Sequence, residues 1–227
     1  MIADVRMKMI IPEAAKEFAD ACLKGHDSRV IAILLEGSFA RGDNGDHSDI
    51  DLFVLVDTVD TSLLQQIGSI VSGIQTQHEL NPAVVSTSEL RAYPELFEYL
   101  RVKHDGVVLC GALPEIDSAA ETELGIAKRI AQGVLMSSRH YLAVAEPEEN
   151  FAGGKLYNWN LKPLGFALRF FHLDQTGEYI RSERDLARLY PVLALDPVRD
   201  WQRILQECIS TCEWIIKTQQ KGQKHEY

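Results

Sequence analysis

The chain has 227 residues, a length that fits one large domain or two small ones, and 46% of them are hydrophobic, which is ample for a core. No stretch approaches the roughly 20 apolar residues of a membrane span, and the first residues carry no apolar export signal. We therefore expect a cytoplasmic protein with no membrane attachment.

The formal net charge is −10, and the acidic residues are concentrated in the first half. Residues 1–117 hold 9 Lys and Arg against 19 Asp and Glu, whereas residues 118–227 hold 14 of each. Nucleic-acid binding needs a basic surface, so this distribution argues against a nucleic-acid partner. It favours a cationic partner, although an acidic surplus also serves solubility. The oligomeric state is not indicated.

The first half of the chain alternates predicted helices and strands. In chain order these are a helix over 12–24, a strand over 30–35, a turn over 38–42, a strand over 49–56, a helix over 61–77, a strand over 83–86, a helical region over 88–103 that Pro94 divides, and a strand over 107–110. Gly25 is placed to end the first helix. This order predicts a small mixed sheet with helices on one side.

The segment between the first two strands carries a distinctive pattern. The first strand stops at Gly37-Ser38, and eleven residues after Ser38 comes Asp49, followed by Asp51 at the start of the second strand. Residues i and i+2 of a strand share a face, so the two aspartates point the same way. Paired carboxylates repel each other unless a cation lies between them, which predicts a site for Mg²⁺ or Mn²⁺. The alternative is a surface hairpin with solvated acids.

This pattern resembles the signature of the nucleotidyltransferase superfamily that includes DNA polymerase beta. The superfamily pattern is a Gly-Ser turn, a loop of about ten residues and an Asp-x-Asp on an apolar strand. The chain also resembles the Gly-Ser-x-Ala-Arg-Gly form that is common in minimal nucleotidyltransferases. The resemblance is clear over about residues 29–57 and continues more weakly to about residue 111. The matching positions are Gly37, Ser38, Arg41, Gly42, Asp49 and Asp51.

The resemblance implies a nucleotidyltransferase-like α+β fold and the transfer of a nucleoside monophosphate, AMP from ATP, to a hydroxyl of a small molecule or protein. The Gly37-Ser38 turn would offer backbone N–H groups to the triphosphate. Arg41 could pair with phosphate oxygens, the alternative being an exposed loop arginine. The Mg²⁺ or Mn²⁺ ion held by Asp49 and Asp51 would neutralise the developing charge.

The chain departs from the family at the third carboxylate, which usually comes from a later strand. The predicted strand over 83–86 has no acid, and Glu79 is the nearest candidate for a catalytic carboxylate. The alternative is that Glu79 is an exposed residue at a helix end. Two functions follow: a metal-dependent nucleotidyltransferase, or a non-catalytic nucleotide-binding or antitoxin-like regulator that acts through protein–protein contact.

The composition changes at residues 114–118, and no convincing strand follows. We predict a nucleotidyltransferase domain over 1–114, an all-α helical bundle over 118–220 and a loose tail over 221–227. The predicted helices of the second half cover 121–145, 157–175 with a second start at Pro163, 182–189, and 197–219.

On the second of these helices, Lys162 and Arg169 fall on one face together with His172. They could bind the triphosphate, and the alternative is a solvated helix face. Cys208 and Cys212 are neighbours on the last helix, without His or Cys partners at metal-ligand spacing. We therefore expect them to be buried, reduced thiols.

Overall fold

The computed structural model describes residues 11–24, 29–92, 97–115, 122–144 and 154–219, with only the backbone of residues 97–100. It divides into two compact units, Met1–Ala120 and Glu121–Tyr227. The predicted helix stop at Gly25, the break at Pro94 and the tail over 221–227 lie outside the described residues. The division into independent domains near residues 114–118 stays a prediction.

The first unit contains a four-stranded sheet with the order β3-β2-β1-β4. β2 and β3 run parallel, whereas β1 is antiparallel to both β2 and β4. The predicted small mixed sheet is therefore confirmed. The elements are α1 (Glu13–Lys24), β1 (Val30–Leu35), α2 (Gly37–Arg41), β2 (Ile50–Val56), α3 (Thr61–Gly73), β3 (Leu80–Ser86), α4 (Thr87–Ala92), α5 (Phe97–Asp105) and β4 (Val107–Gly111).

The core of this unit lies on both faces of the central strands. On one face, residues of α1 and α3 such as Phe18 and Leu63 pack in the same cluster as alternate residues of β1 and β2. The intervening residues Leu34 and Phe53, which face the other way, are also buried. A Cβ on Gly106, which follows α5, would lie 3.2 Å from Leu34. The second face of these strands is therefore covered as well, because β1 is apolar at every position and β2 at every position except Asp51.

β3 begins three residues earlier than predicted and includes Pro82. Proline lacks a backbone N–H, which favours ending a strand at that residue. β3 is an edge strand, however, so only one of its sides pairs with a neighbour. Its register aligns Asp51 with Asn81, and this alignment brings the start of β3 beside the aspartate pair.

The described residues of the second unit form helices and the loops between them, with no strand among them, as predicted. α6 (Glu123–Val144) packs against α7 (Lys162–Thr176) and α9 (Trp201–Lys217). The remaining elements are a π-helical segment (Tyr157–Leu161), α8 (Glu183–Leu189) and a short 3₁₀ helix (Pro191–Ala194). Within the described residues, no helix has the length and apolar character needed to cross a membrane.

The predicted helix that starts at Tyr157 begins instead as a π-helix. The Lys162 N–H bonds to the carbonyl of Tyr157, five residues back. Pro163 has no N–H to bond to the carbonyl four residues before it, and we attribute the wider turn to this missing donor. At the other end, Gly177 adopts φ +78° and ends α7.

Candidate active site

The Gly-Ser turn lies at the junction of β1 and α2. The backbone of Glu36 is extended, and Gly37 then adopts φ +69°, a left-handed conformation that glycine accepts without strain. The Asp51 carboxylate fills the space that a Cβ on residue 37 would need. Glycine is therefore required here for two reasons, the backbone angle and the close approach to Asp51.

Asp49 immediately precedes β2, and Asp51 is the second residue of that strand. Ile50 and Leu52 are buried in the core, Asp51 is half-buried and Asp49 is exposed. Neither carboxylate is buried, and both belong to the face of the strand opposite to that of Ile50 and Leu52, as strand alternation predicts. The backbone also joins this strand to the turn, because the Glu36 N–H donates to the Asp51 carbonyl at 2.9 Å.

Two further contacts position these aspartates, and the sequence did not predict either one. The Asn81 side-chain amide donates to Asp51 Oδ1 at 3.1 Å, which fixes the rotamer of that carboxylate. His78 Nδ1 lies 2.8 Å from the Ser48 carbonyl, and since a carbonyl only accepts, this ring nitrogen carries the proton. His78 thereby holds the residue that precedes Asp49.

Glu79 lies beside Asp49 along the parallel pair of strands. The Glu79 carbonyl accepts from the Ile50 N–H at 2.8 Å, and Asn81, two residues later, is aligned with Asp51. The Glu79 side chain is exposed. No group of three His, Cys, Asp or Glu side chains among the described residues is arranged to hold a metal ion, so Glu79 does not complete such a group with the aspartates. Its catalytic role stays a prediction.

The donors of Asp49 and Asp51 fit the preference of Mg²⁺ or Mn²⁺ for oxygen. Both side chains end in carboxylates, both retain exposure to solvent, and glycine leaves the Asp51 carboxylate uncovered by a side chain at position 37. A hard divalent ion with two protein carboxylates keeps further positions for phosphate oxygens.

Arg41 has a buried side chain beside acidic residues of its own unit, which excludes the exposed loop arginine considered above as the alternative. Its side chain is only 5% exposed, with Nε 3.2 Å from Asp43 Oδ2 and Nη1 3.7 Å from Asp105 Oδ2. The guanidinium group is thus held between carboxylates of its own unit, so it is not an exposed loop arginine. Its expected contact with phosphate oxygens stays a prediction that these contacts do not support.

A second buried charge flanks the turn on the other side. Glu36 is 1% exposed and receives a two-pronged ion pair from Arg101, with Nη2–Oε1 at 2.7 Å and Nε–Oε2 at 3.1 Å. The only sequence signal for this pair is a charged residue placed between an apolar strand and the Gly-Ser turn.

Lys162 and Arg169 lie in the second unit, at the wall of a cavity of about 230 Å³. Arg169 is 2% exposed and donates to the carbonyls of Ile180 at 3.0 Å and Arg181 at 3.3 Å. It therefore does not belong to a solvated helix face, and its observed partners are backbone carbonyls. Lys162 is exposed. The expected nucleotide contacts of both residues stay predictions.

Comparisons with known proteins cover the part of the chain that contains this candidate site. The family model described as "Nucleotidyltransferase domain" matches residues 15–124. A putative protein adenylyltransferase of Methanocaldococcus jannaschii is 36% identical over 75 residues, which cover 75% of that protein and 30% of this chain. The chain belongs to the nucleotidyltransferase family. It is a nucleotidyltransferase, and the resemblance inferred from its Gly-Ser and Asp-x-Asp pattern is confirmed.

Two solved structures show more remote similarity. One is the spectinomycin adenyltransferase AAD(9) from Enterococcus faecialis with ATP and spectinomycin, at 15% identity and a TM-score of 0.44, covering 90% of this chain and 97% of that one. The other is a mutant of the toxin–antitoxin complex MntA–HpeT, at 18% identity and a TM-score of 0.32, covering 57% of this chain and 94% of that one.

Proposed function

We propose that this nucleotidyltransferase moves AMP from ATP to a hydroxyl group of a protein or small molecule, with Mg²⁺ or Mn²⁺ bound by Asp49 and Asp51. One observation carries the proposal. The Asp51 carboxylate lies against Gly37, so the phosphate-binding turn and the carboxylate pair occupy one place on the surface.

The choice of donor and acceptor rests on similarity and charge. The relative from M. jannaschii is named a putative protein adenylyltransferase, which supports AMP as the transferred group and a protein among the acceptors. The acidic first half of the chain favours an acceptor surface that carries positive charge. Nucleic acid is disfavoured as an acceptor for the same reason.

The turn is proposed to bind the triphosphate. The backbone N–H groups at the start of α2 and the half-buried Ser38 hydroxyl can donate to phosphate oxygens. Lys162, which is exposed in the second unit, is proposed as a further contact to a phosphate. Arg169 would first have to exchange its bonds to the Ile180 and Arg181 carbonyls.

Glu79 is proposed to take the proton of the attacking hydroxyl, directly or through one water. The acceptor oxygen then forms a bond to the α-phosphorus, the bond from that phosphorus to the bridging oxygen breaks, and pyrophosphate leaves. When bound, the metal ion supplies neutralisation of the charge on these phosphates. Asp49 and Asp51 would hold that ion, and Asn81 keeps the Asp51 carboxylate oriented.

The test is an incubation of the purified protein with each of four labelled nucleoside triphosphates, Mg²⁺ or Mn²⁺, and candidate protein and small-molecule acceptors. We expect pyrophosphate release and label transfer with ATP, abolished by a chelator. Nucleotide binding without pyrophosphate release, across all four nucleotides and both metals, would contradict the proposal and support the non-catalytic regulator.

A further inference from the structure

Two ion pairs of opposite polarity join α5 to the segment that carries the Gly-Ser turn. Arg101 of α5 pairs with Glu36, just before the turn, and Asp105 of α5 is 3.7 Å from Arg41, at the end of α2. All four side chains are at most 14% exposed. Since Arg101 and Asp105 are four residues apart, they share one face of α5.

We propose that Arg101 and Asp105 are positioning residues for nucleotidyl transfer, which hold the Gly37-Ser38 turn in place through Glu36 and Arg41. This inference rests on the proposed function. It adds two residues that lie more than 60 positions from the turn in sequence and belong to no part of the family pattern.

The polarity of the pairs permits only one docking of α5. A shift of α5 by one helical turn would bring Arg101 towards Arg41 or Asp105 towards Glu36, and like charges that are buried together repel strongly. The fork of the Arg101 guanidinium matches both oxygens of Glu36, which restrains rotation as well as distance. The two ion pairs therefore fix the position of the Gly37-Ser38 turn along the axis of α5.

Arg101 also keeps the Glu36 carboxylate away from the proposed phosphate site. Glu36 occupies the N-cap position of α2, yet its side chain makes no capping hydrogen bond, because the carboxylate is engaged by Arg101. A carboxylate released from that pair would be attracted to the N–H groups at the start of α2. It would then compete with a phosphate for the same donors.

The pairing reaches the aspartates as well. The Glu36 N–H donates to the Asp51 carbonyl at 2.9 Å, so the residue that holds α5 with its side chain holds β2 with its backbone. A displacement of Glu36 would therefore move the turn and the Asp51 carboxylate against each other. A misplacement of about 1 Å in an active site can lower turnover by about 10²-fold.

The test is the double variant Glu36→Met, Arg101→Met, which removes both buried charges and so avoids leaving one of them unpaired. The matched control is Glu213→Met, Arg139→Met, which removes an exposed Arg–Glu pair in the second unit whose atoms are 2.9 Å apart. Hydrogen exchange of the amides of residues 37–42 and the kinetic constants for ATP are measured on each, with the thermal unfolding midpoint.

We expect the first variant to exchange these amides at least about tenfold faster and to lose about 10²-fold in kcat, with β1 and β2 still protected. The control should match the wild type in each measurement. The single variant Arg101→Met should also raise the KM for ATP, because the released Glu36 carboxylate competes with phosphate. Arg101→Lys should recover part of kcat, which a general loss of packing would not allow.

Unchanged amide exchange and unchanged kcat in Glu36→Met, Arg101→Met would overturn the proposal. If that variant does not fold, Glu36→Gln, Arg101→Gln replaces it, because it removes the same two charges while keeping polar side chains, and wild-type amide exchange there would overturn the proposal equally. If the wild-type protein releases no pyrophosphate, the proposed function fails, and the exchange measurement still decides whether α5 positions the turn.

Discussion

Replacement of Gly37 by alanine tests the geometry at the centre of the site. The methyl group would meet two obstacles, the φ of +69° and the Asp51 carboxylate, which fills the space of a Cβ. The left-handed backbone costs an alanine about 1–2 kcal/mol. Moving the carboxylate off its rotamer costs about a further 0.5–1.5 kcal/mol.

The chain offers a matched control in Gly42, which has φ +77° and no atom within 4 Å of an ideal Cβ. Gly42→Ala therefore meets the backbone cost alone, about 1–2 kcal/mol. Gly37→Ala should be less stable than Gly42→Ala by roughly 0.5–1.5 kcal/mol in free energy of unfolding. It should also lose about 10²-fold in kcat, since the Asp51 carboxylate is displaced.

The assay combines urea unfolding of both variants with ATP-dependent pyrophosphate release. The reasoning requires Gly37→Ala to be the more impaired variant in both measurements, with the larger difference in kcat. Equal activity of the two alanine variants would refute it, because the contact with Asp51 would then have no part in catalysis.

Three further predictions concern single groups. Glu79→Gln should lower turnover by roughly 10²–10⁴ with little change in the Kd for ATP, as expected for a lost general base, and wild-type turnover would remove Glu79 from the mechanism. Asp60 caps α3, and its side chain accepts a hydrogen bond from the Leu63 backbone N–H at 2.8 Å. This hydrogen bond lowers the pKa of the Asp60 carboxyl. The ionised Asp60 carboxylate therefore stabilises the folded protein above the unfolded pKa of about 3.9, and this stabilisation is lost as the pH falls through the lower folded pKa. Asp60→Asn should accordingly weaken the pH dependence of the free energy of unfolding between about pH 5 and pH 2. Burial raises the pKa of Cys208 and of Cys212 to about 12, so neither thiol should react with a thiol reagent at pH 8 before the protein unfolds, and rapid labelling of the native protein would contradict this.

Sequence alone predicted the parts of the fold whose signal is local. β1 is an uninterrupted apolar run with the predicted bounds Val30–Leu35, and the spacing of Asp49 and Asp51 fixes their common face. The glycine at 37 could also be expected, because a sharp turn after a buried strand favours it. The Asp51 carboxylate beside it became visible only in the structure, since the two residues are brought together by strand pairing.

The contacts that sequence could not predict join distant parts of the chain. Glu36 and Arg101 are 65 residues apart, and no local pattern marks either as the partner of the other. Arg41 was expected at the phosphate because its motif position suggested it, whereas the acids that surround it include Asp105 from α5. Arg169 was placed on a helix face by periodicity, but periodicity cannot indicate that the loop after α7 turns back to its guanidinium.

The most direct test of nucleotide transfer is the double variant Asp49→Asn, Asp51→Asn, assayed with labelled ATP and Mg²⁺. We predict a loss of label transfer of at least about 10²–10³, as for removal of charge stabilisation at a reacting phosphate. The free energy of unfolding without metal should hold or rise, because repulsion between the carboxylates is relieved and residue 51 can still accept from Asn81. Transfer at the wild-type rate in this variant would contradict the assignment of the active site.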